Sequence, residues 1–510
     1  MTRPTPPGQR FRSVFLSIGL AFAILSSAAA FELRLNGVPR SLPADARLRE
    51  LSYLIPAKGS TERGLSVSEL LPPLIEAWKI DCAGSGGART WTGEDLADRL
   101  SGFYIVESGS GSWDLLAPDA KVASVSSISV AGDAAQERDL EVWLSWEGVP
   151  ELKAEIQHWA TLSGVRVRTV DVPDTRSKLL AVQRGGGRMP DLLMIQSDNV
   201  PDLVEAQALQ PLDRIDASHV VKKGADAFSA NGRRWAMPFY FDAQLVFYNK
   251  KMVPAQPSLA WTTEDLETMA ARISRGGKTP LSWNVYSAYW LLPFAMGFGK
   301  PSIADADGGV RPDDAGTKRA ISWILSLIDK GYLEPLERDA MVARFASGEI
   351  AMILSGSYSI PEFERVGLDF GVAPYPVVAS TGKPIAPLLD FKGFAIARST
   401  RSPVTARRLL EQLSGIGVQQ RFSASLSKLP ANSEAWKLSE SANRYSAVLA
   451  RSAEIGAVIP PSSGYSAYKN TMWKILRFIL AGSMKPDAAL AEARRLIDAN
   501  METENGAAKP

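Results

Sequence analysis

The sequence predicts an α/β chain with a largely parallel sheet, preceded by a small N-terminal α+β domain. Two observations predict it. Strand and helix signals alternate from Asp139 onward, and residues 31–130 carry a separate set of short strand and helix signals. Length agrees, because 510 residues exceed the ~250–300 at which a single core stops growing.

The elements follow in order. Arg3, Arg10 and Arg12 precede the apolar run Val14–Leu25, and Ser26–Ala30 supplies small residues. That is a signal peptide over residues 1–30, with cleavage after Ala30; the other reading is a retained membrane anchor. The one cysteine, Cys82, lies far from that site, so a lipoprotein is not expected and the periplasm is. Within residues 31–130, Glu32–Gly37 predicts a strand and turn, and Ser66–Trp78 a helix interrupted at Pro72-Pro73. Asp95–Leu100 predicts a short helix, and Phe103–Val106 and Trp113–Leu116 predict strands. Val122–Gln136 reads as a connecting strand and linker, the linker proper being residues 131–138.

Asp139–Trp146 alternates as a strand. Leu152, Ile156, Trp159 and Leu162 share a helix face, and Gly164 suits the helix end. Val165, Val167 and Val172 suggest a second strand. Leu179, Leu180 and Val182 belong to a short helix that Gly185–Gly187 ends. Met189–Ile195 is a buried strand after a turn. Strand, helix, strand, helix, strand is the order of an α/β lobe.

Composition excludes several functions. A net charge of +2 gives nucleic acid no electrostatic footing. The two histidines, His158 and His219, show no metal spacing with cysteine, and no nucleophile elbow or phosphate-binding glycine motif occurs. No catalytic residue, metal or cofactor is expected.

Four segments carry a family resemblance. Arg234–Val253 (RWAMPFYFDAQLVFYNKKMV) reads as a strand to Pro238, an irregular crossing at Phe239–Gln244, and a second strand. Phe345–Tyr358 contains Gly348, Ala351 and Met352 in the spacing F-x-x-G-x-x-A-M. Pro384–Arg398 reads as a return crossing, and Arg407–Gln420 as a helix ending near Gly417-Val418-Gln419. Together these resemble extracellular solute-binding proteins of the maltose-binding type, the periplasmic components of ABC importers, over about residues 139–502. The resemblance implies a two-lobe, periplasmic binding protein type II-like clam. Residues 139–242 and 393–440 would form one lobe, and 243–392 and 441–505 the other.

In a clam of this kind, loops at the carboxyl ends of strands line the cleft. They nominate Trp146 and Glu147, Asp198, Tyr240 and Asp242, and the aromatics Tyr286, Tyr358 and Tyr468, beside Trp283, Tyr289 and Tyr465. Carboxylates accept bonds from sugar hydroxyls, and aromatic rings pack on sugar C–H faces. The resemblance implies that Asp198 and Asp242 contact sugar and that Tyr286 and Tyr358 stack on it. Tyr468 lies near another stacking position, which Lys469 could occupy instead. For each of these, packing is the competing role.

The function implied is capture of a small solute, a sugar or oligosaccharide, and delivery to ABC importer permease subunits by a monomer. Two alternatives stay open. One is a sensing protein that signals through a membrane receptor. The other is a glycosidase using two of Glu147, Asp198 and Asp242, which needs paired carboxylates.

Overall fold

The computed structural model describes residues 31–507, apart from 43–47, 50–51, 58–59, 72–74, 94–95, 97–102, 109–111, 135–138, 214, 306–307 and 440–442. The expected signal peptide, most of the expected helix Asp95–Leu100, and Pro72-Pro73 lie outside the described residues. No described helix is long and apolar enough to cross a membrane.

Residues 31–134 build two five-stranded sheets. The first runs Val38–Arg40, Glu32–Leu35, Val125–Ala134, Ile75–Gly84, Gly87–Thr92. The second runs Tyr53–Ala57, Ser60–Ser66, Tyr104–Glu107, Trp113–Leu116, Lys121–Val122. Leu33, Ile80, Cys82 and Ile128 of the first sheet share one core with Leu65, Ile105, Trp113 and Leu115 of the second.

Two expectations are corrected here. Ser66–Trp78 is not a helix: a strand ends at Ser66, a 3-10 turn spans Val67–Leu70, and a strand starts at Ile75. The cause is a bulge. Lys79 pairs with Ala131 and Ala77 with Gly132, so Trp78 is left unopposed. A bulge breaks the two-residue alternation of buried positions, and the broken pattern imitates a helix. The expected strand within Val122–Gln136 is present, but it extends through residues 131–134, which are not linker; residues 135–138 lie outside the described residues. Val125–Ala134 is the middle strand of its sheet, parallel to Glu32–Leu35 and antiparallel to Ile75–Gly84.

From Asp139 a single eleven-stranded sheet forms the frame. Its path runs Arg166–Asp171, Asp139–Leu144, Leu192–Gln196, Leu388–Ile396, Met237–Asn249, Ile350–Gly356, Thr279–Trp283, Leu333–Pro335. The helix Val149–Ser163 buries Leu152, Ile156 and Trp159, and Gly164 ends it at φ 66°, where its N–H donates to Ala160 O.

The crossing differs from expectation. Met237–Asn249 is one thirteen-residue strand, buried throughout. Its first part pairs with Leu389–Phe394, and its second part with Met352–Gly356 and Phe370–Ala373. The only irregularity is a register shift between Pro238 and Tyr240. With ladder partners on both sides, the backbone groups of a buried segment are best satisfied as strand. The expected helix Arg407–Gln420 is two helices, Pro403–Ser414 and Ile416–Leu426, because Gly415 at ψ 154° breaks the turn.

Candidate ligand-binding cleft

The crossing strand and the return strand Leu388–Ile396 lie side by side, with Asp242 opposite Asp390 and Tyr240 opposite Lys392. Two charged residues two apart on a strand point to one face. Asp390 and Lys392 do so, and the Lys392 ammonium lies 2.6 Å from Asp390 and 3.5 Å from Asp242. Lys428, after the helix Ile416–Leu426, comes from the other side. Its Nζ lies 3.0 and 2.9 Å from the two Asp242 oxygens and 3.3 Å from Glu147 Oε2. The Ser357 hydroxyl donates to Asp242 Oδ1 at 2.7 Å, and the Tyr240 hydroxyl to Glu147 at 3.1 Å. Gln196 Nε2 donates to Asp390 at 2.6 Å.

The centre of this network is buried, and Glu147 at its edge is 42% exposed. Side-chain exposure is 1% for Lys428, 2% for Asp242 and 3% for Lys392. Burial pushes the Asp242 carboxyl up, but Lys428, Lys392 and Ser357 outweigh it and hold the group below its usual range. Burial pulls Lys392 down, and Asp390 and Asp242 more than reverse that. Tyr240 is raised by burial and by the anions around it. Asp242 is therefore an anion, and a general acid working near neutral pH would need the opposite shift.

A second cluster joins the two halves of the chain. Lys469, on the helix Ser463–Leu480, lies 3.3 Å from Asp198, which follows the strand Leu192–Gln196. Burial raises the Asp198 carboxyl, against the pull of Lys469. Tyr465, one turn before Lys469, is buried with Asp198 and Asp390 close enough to raise its hydroxyl further. Beyond Lys469, the Arg477 guanidinium sits 4.2 Å from the Trp473 ring and 4.8 Å from Tyr286, and bonds Glu337 at 2.9 Å.

The nominated residues thus have different fates. Glu147, Tyr240, Asp242 and Tyr358 come together; Lys428 lies 5.2 Å from the Tyr240 ring and 5.9 Å from Tyr358. Asp198 lies in the second cluster, close enough to Asp390 to be influenced by its charge. Tyr286 lies on the outer part of the same wall, half-buried under Arg477. Trp146 holds a left-handed turn at φ 63° and packs on the core of the first half. Tyr468 is 0% exposed in the core, with no hydrogen-bond partner for its hydroxyl among the described residues. On that helix, Tyr465 and Lys469 turn toward Asp198 instead. Asp242 is nominated for an open carboxylate, yet its oxygens are already occupied by two lysines and a serine.

Sequence reasoning places Gln196 in the cleft-lining segment before Asp198 but passes over Lys392, Lys428 and Asp390. A signal exists for one pair: Asp390 and Lys392 interrupt an otherwise apolar strand at spacing two. Lys428 leaves no local trace, because its partners are 186 and 281 residues away. Among the described residues no cluster of His, Cys, Asp and Glu could hold a metal.

Residues 159–474 match the family model for a bacterial extracellular solute-binding protein. A maltodextrin-binding protein of Bacillus subtilis is 25% identical over 265 residues, 49% of this chain and 63% of the relative. A maltooligosaccharide ABC transporter solute-binding lipoprotein of Streptococcus pneumoniae is 26% identical over 298 residues, 55% of this chain and 69% of the relative. The chain thus spans about two thirds of the length of these relatives. The GacH receptor of Streptomyces glaucescens, solved unliganded and with acarbose, shares the fold. Its TM-score is 0.64 at 23% identity, over 71% of this chain and 99% of that one. With a network of paired charges between the halves of one sheet, and a family match over more than half its length, the chain belongs to the bacterial extracellular solute-binding proteins.

Proposed function

We propose that the protein captures an uncharged sugar or oligosaccharide in this cleft and delivers it to the permease subunits of an ABC importer from the periplasm, as a monomer without a lipid anchor. One observation carries the choice of ligand: the charges of the cleft are answered from within. Asp242 has Lys428 and Lys392, Asp390 has Lys392, Glu147 has Lys428, Asp198 has Lys469, and Glu337 has Arg477. An amino acid or polyamine would have to break such pairs. Sugar hydroxyls can add to the lone pairs that remain on Glu147 and Asp198, and charge-assisted bonds of that kind are the stronger ones. Tyr358, Tyr286 and the half-exposed Trp473 offer ring faces. The similar proteins named for maltodextrin and maltooligosaccharide support the same class.

The test is a thermal-shift series with maltotriose, glucose, polyols, amino acids and polyamines. Ligand at ~100 Kd adds about 2.7 kcal/mol to stability. A rise with maltotriose or another sugar is expected. A rise confined to amino acids or polyamines would overturn the reading. Export of a soluble form beginning near Phe31, found by mass spectrometry, would support the periplasmic assignment.

A further inference from the structure

The helix Ile416–Leu426 touches three parts of the molecule. Its inner side carries Phe422, whose ring centroid lies 4.8 Å from that of Phe239 and 5.2 Å from that of Tyr240. Phe422 also closes on Gly148, the residue after Glu147. A Cβ at Gly148 would collide with Phe422 and Leu426, and Gly148 is at φ 78°. Only glycine takes that conformation without strain, so the Glu147 turn is seated directly on this helix.

The end of the helix carries the cation. Ser427 adopts φ 54°, a left-handed conformation that a non-glycine residue holds only when its surroundings impose it. The chain then enters Leu429–Pro430, which pairs with Phe241 and Tyr240 of the crossing strand. Between the turn and that pairing, Lys428 is aimed at Asp242 and Glu147.

The outer side meets the first domain. Ile416 packs against the core of residues 31–130. Arg421 binds Glu155 through Nε and Nη2 at 2.6 and 2.9 Å, and lies 3.5 Å from Glu69 of the first domain. Tyr104 of that domain is pushed up to about 12 by burial, with Glu69 and Glu434 adding to the rise.

We propose that Lys428 is a positioning residue for the ligand cleft, and that the first domain sets its place through the helix Ile416–Leu426. The proposal rests on the cleft reading above. A helix is a stiff element, and close-packed interiors transmit displacement instead of absorbing it. A shift at Ile416 and Arg421 is passed to Phe422 and Lys428. Lys428 holds together two carboxylates from separate segments, Glu147 and Asp242, so its place fixes theirs. The first domain then acts as a lever on affinity.

The test uses the full chain. Ile416→Asp removes the apolar contact while placing an acid in the first helical turn, where it is favourable. Glu69→Gln is the milder variant, should the first destabilise the fold. Without ligand, amide exchange is followed in peptides covering 427–432 and 239–243. We expect exchange there to accelerate about fivefold or more in Ile416→Asp, and in the same direction in Glu69→Gln. Acceleration confined to residues 31–130 would overturn the proposal.

The second measurement is calorimetric titration with maltotriose. Lys428→Met should weaken binding about tenfold, Lys428→Arg should restore part of it, and Ile416→Asp should add little on top of Lys428→Met. Losses that simply add would sink the coupling. If the parent chain does not bind maltotriose, the titration uses the sugar that raises Tm; if no sugar does, the sugar reading fails and the exchange data alone decide this proposal.

Discussion

Lys223 donates to the carbonyl of Gly456 at 2.6 Å, and the same ammonium reaches Ala453 O at 2.8 Å and Glu454 O at 2.7 Å. These carbonyls end the helix Ser446–Ile455, which packs with the second half, whereas Lys223 belongs to the helix Lys222–Ala227 of the first. A cation at a helix C-terminus answers both unpaired carbonyls and the helix dipole. All three ammonium donors are used. Lys223→Met should cost about 1.5–3 kcal/mol, the range for bonds to a charged group. Chemical denaturation will measure it, and an unchanged midpoint would contradict this account.

Asp242→Ala should be a folding mutation before it is a binding one. It leaves Lys428 and Lys392 buried without their shared anion, and breaking a buried pair costs about 3–5 kcal/mol. The Asp242 carboxyl is held below its ordinary range, so its contribution is present above the unfolded value and lost as pH falls through the folded one. Parent and variant should converge in acid. A variant as stable as the parent at pH 7 would show that the lysines find other partners.

Asp198 carries the opposite sign. Burial raises its carboxyl above the unfolded value, so its contribution to stability is fully present below that value and is lost as pH rises through the folded one. Asp198→Asn should therefore raise Tm at pH 7 and leave it unchanged at about pH 3, below the ordinary aspartate range. The same variant removes the 3.3 Å contact to Lys469 that joins the halves. Scanning calorimetry across pH separates the cases: a lower Tm at pH 7 would mean the contact outweighs burial.

Gly148→Ala should cost about 1–3 kcal/mol, since the added methyl meets Phe422 and Leu426 in a close-packed region. Gly164→Ala, also at positive φ but with open space around its Cβ, should cost less. Equal losses would show that backbone strain alone governs Gly148.

Local signals made much of the frame legible. The face of Leu152, Ile156 and Trp159 and the glycine after it needed only the helix period and the left-handed end. Failures occurred where pairing overrode pattern. Trp78 disguised a strand because a bulge shifted the register, and Phe239–Gln244 looked irregular because its ladder partners lie far along the chain. The cleft was half legible. Glu147, Asp198, Asp242 and the tyrosines were named, but Asp390 and the lysines that hold Asp242, Lys392 and Lys428, were not, and burial in the core removed Tyr468.

The shared sheet has a consequence for how the protein comes apart. The crossing strand contributes to the ladders of both halves, and one apolar core reaches from Leu193 through Phe241 to Leu354 and Ile475. Neither half can melt without stripping hydrogen-bond partners from the other. Residues 139–505 should therefore lose structure in one cooperative transition, despite exceeding the length at which chains ordinarily divide. The first domain, with its own core, is the part positioned to melt separately. A thermogram would then show two transitions, because the two cores of residues 139–505 share the crossing strand, where a count of lobes and domains gives three.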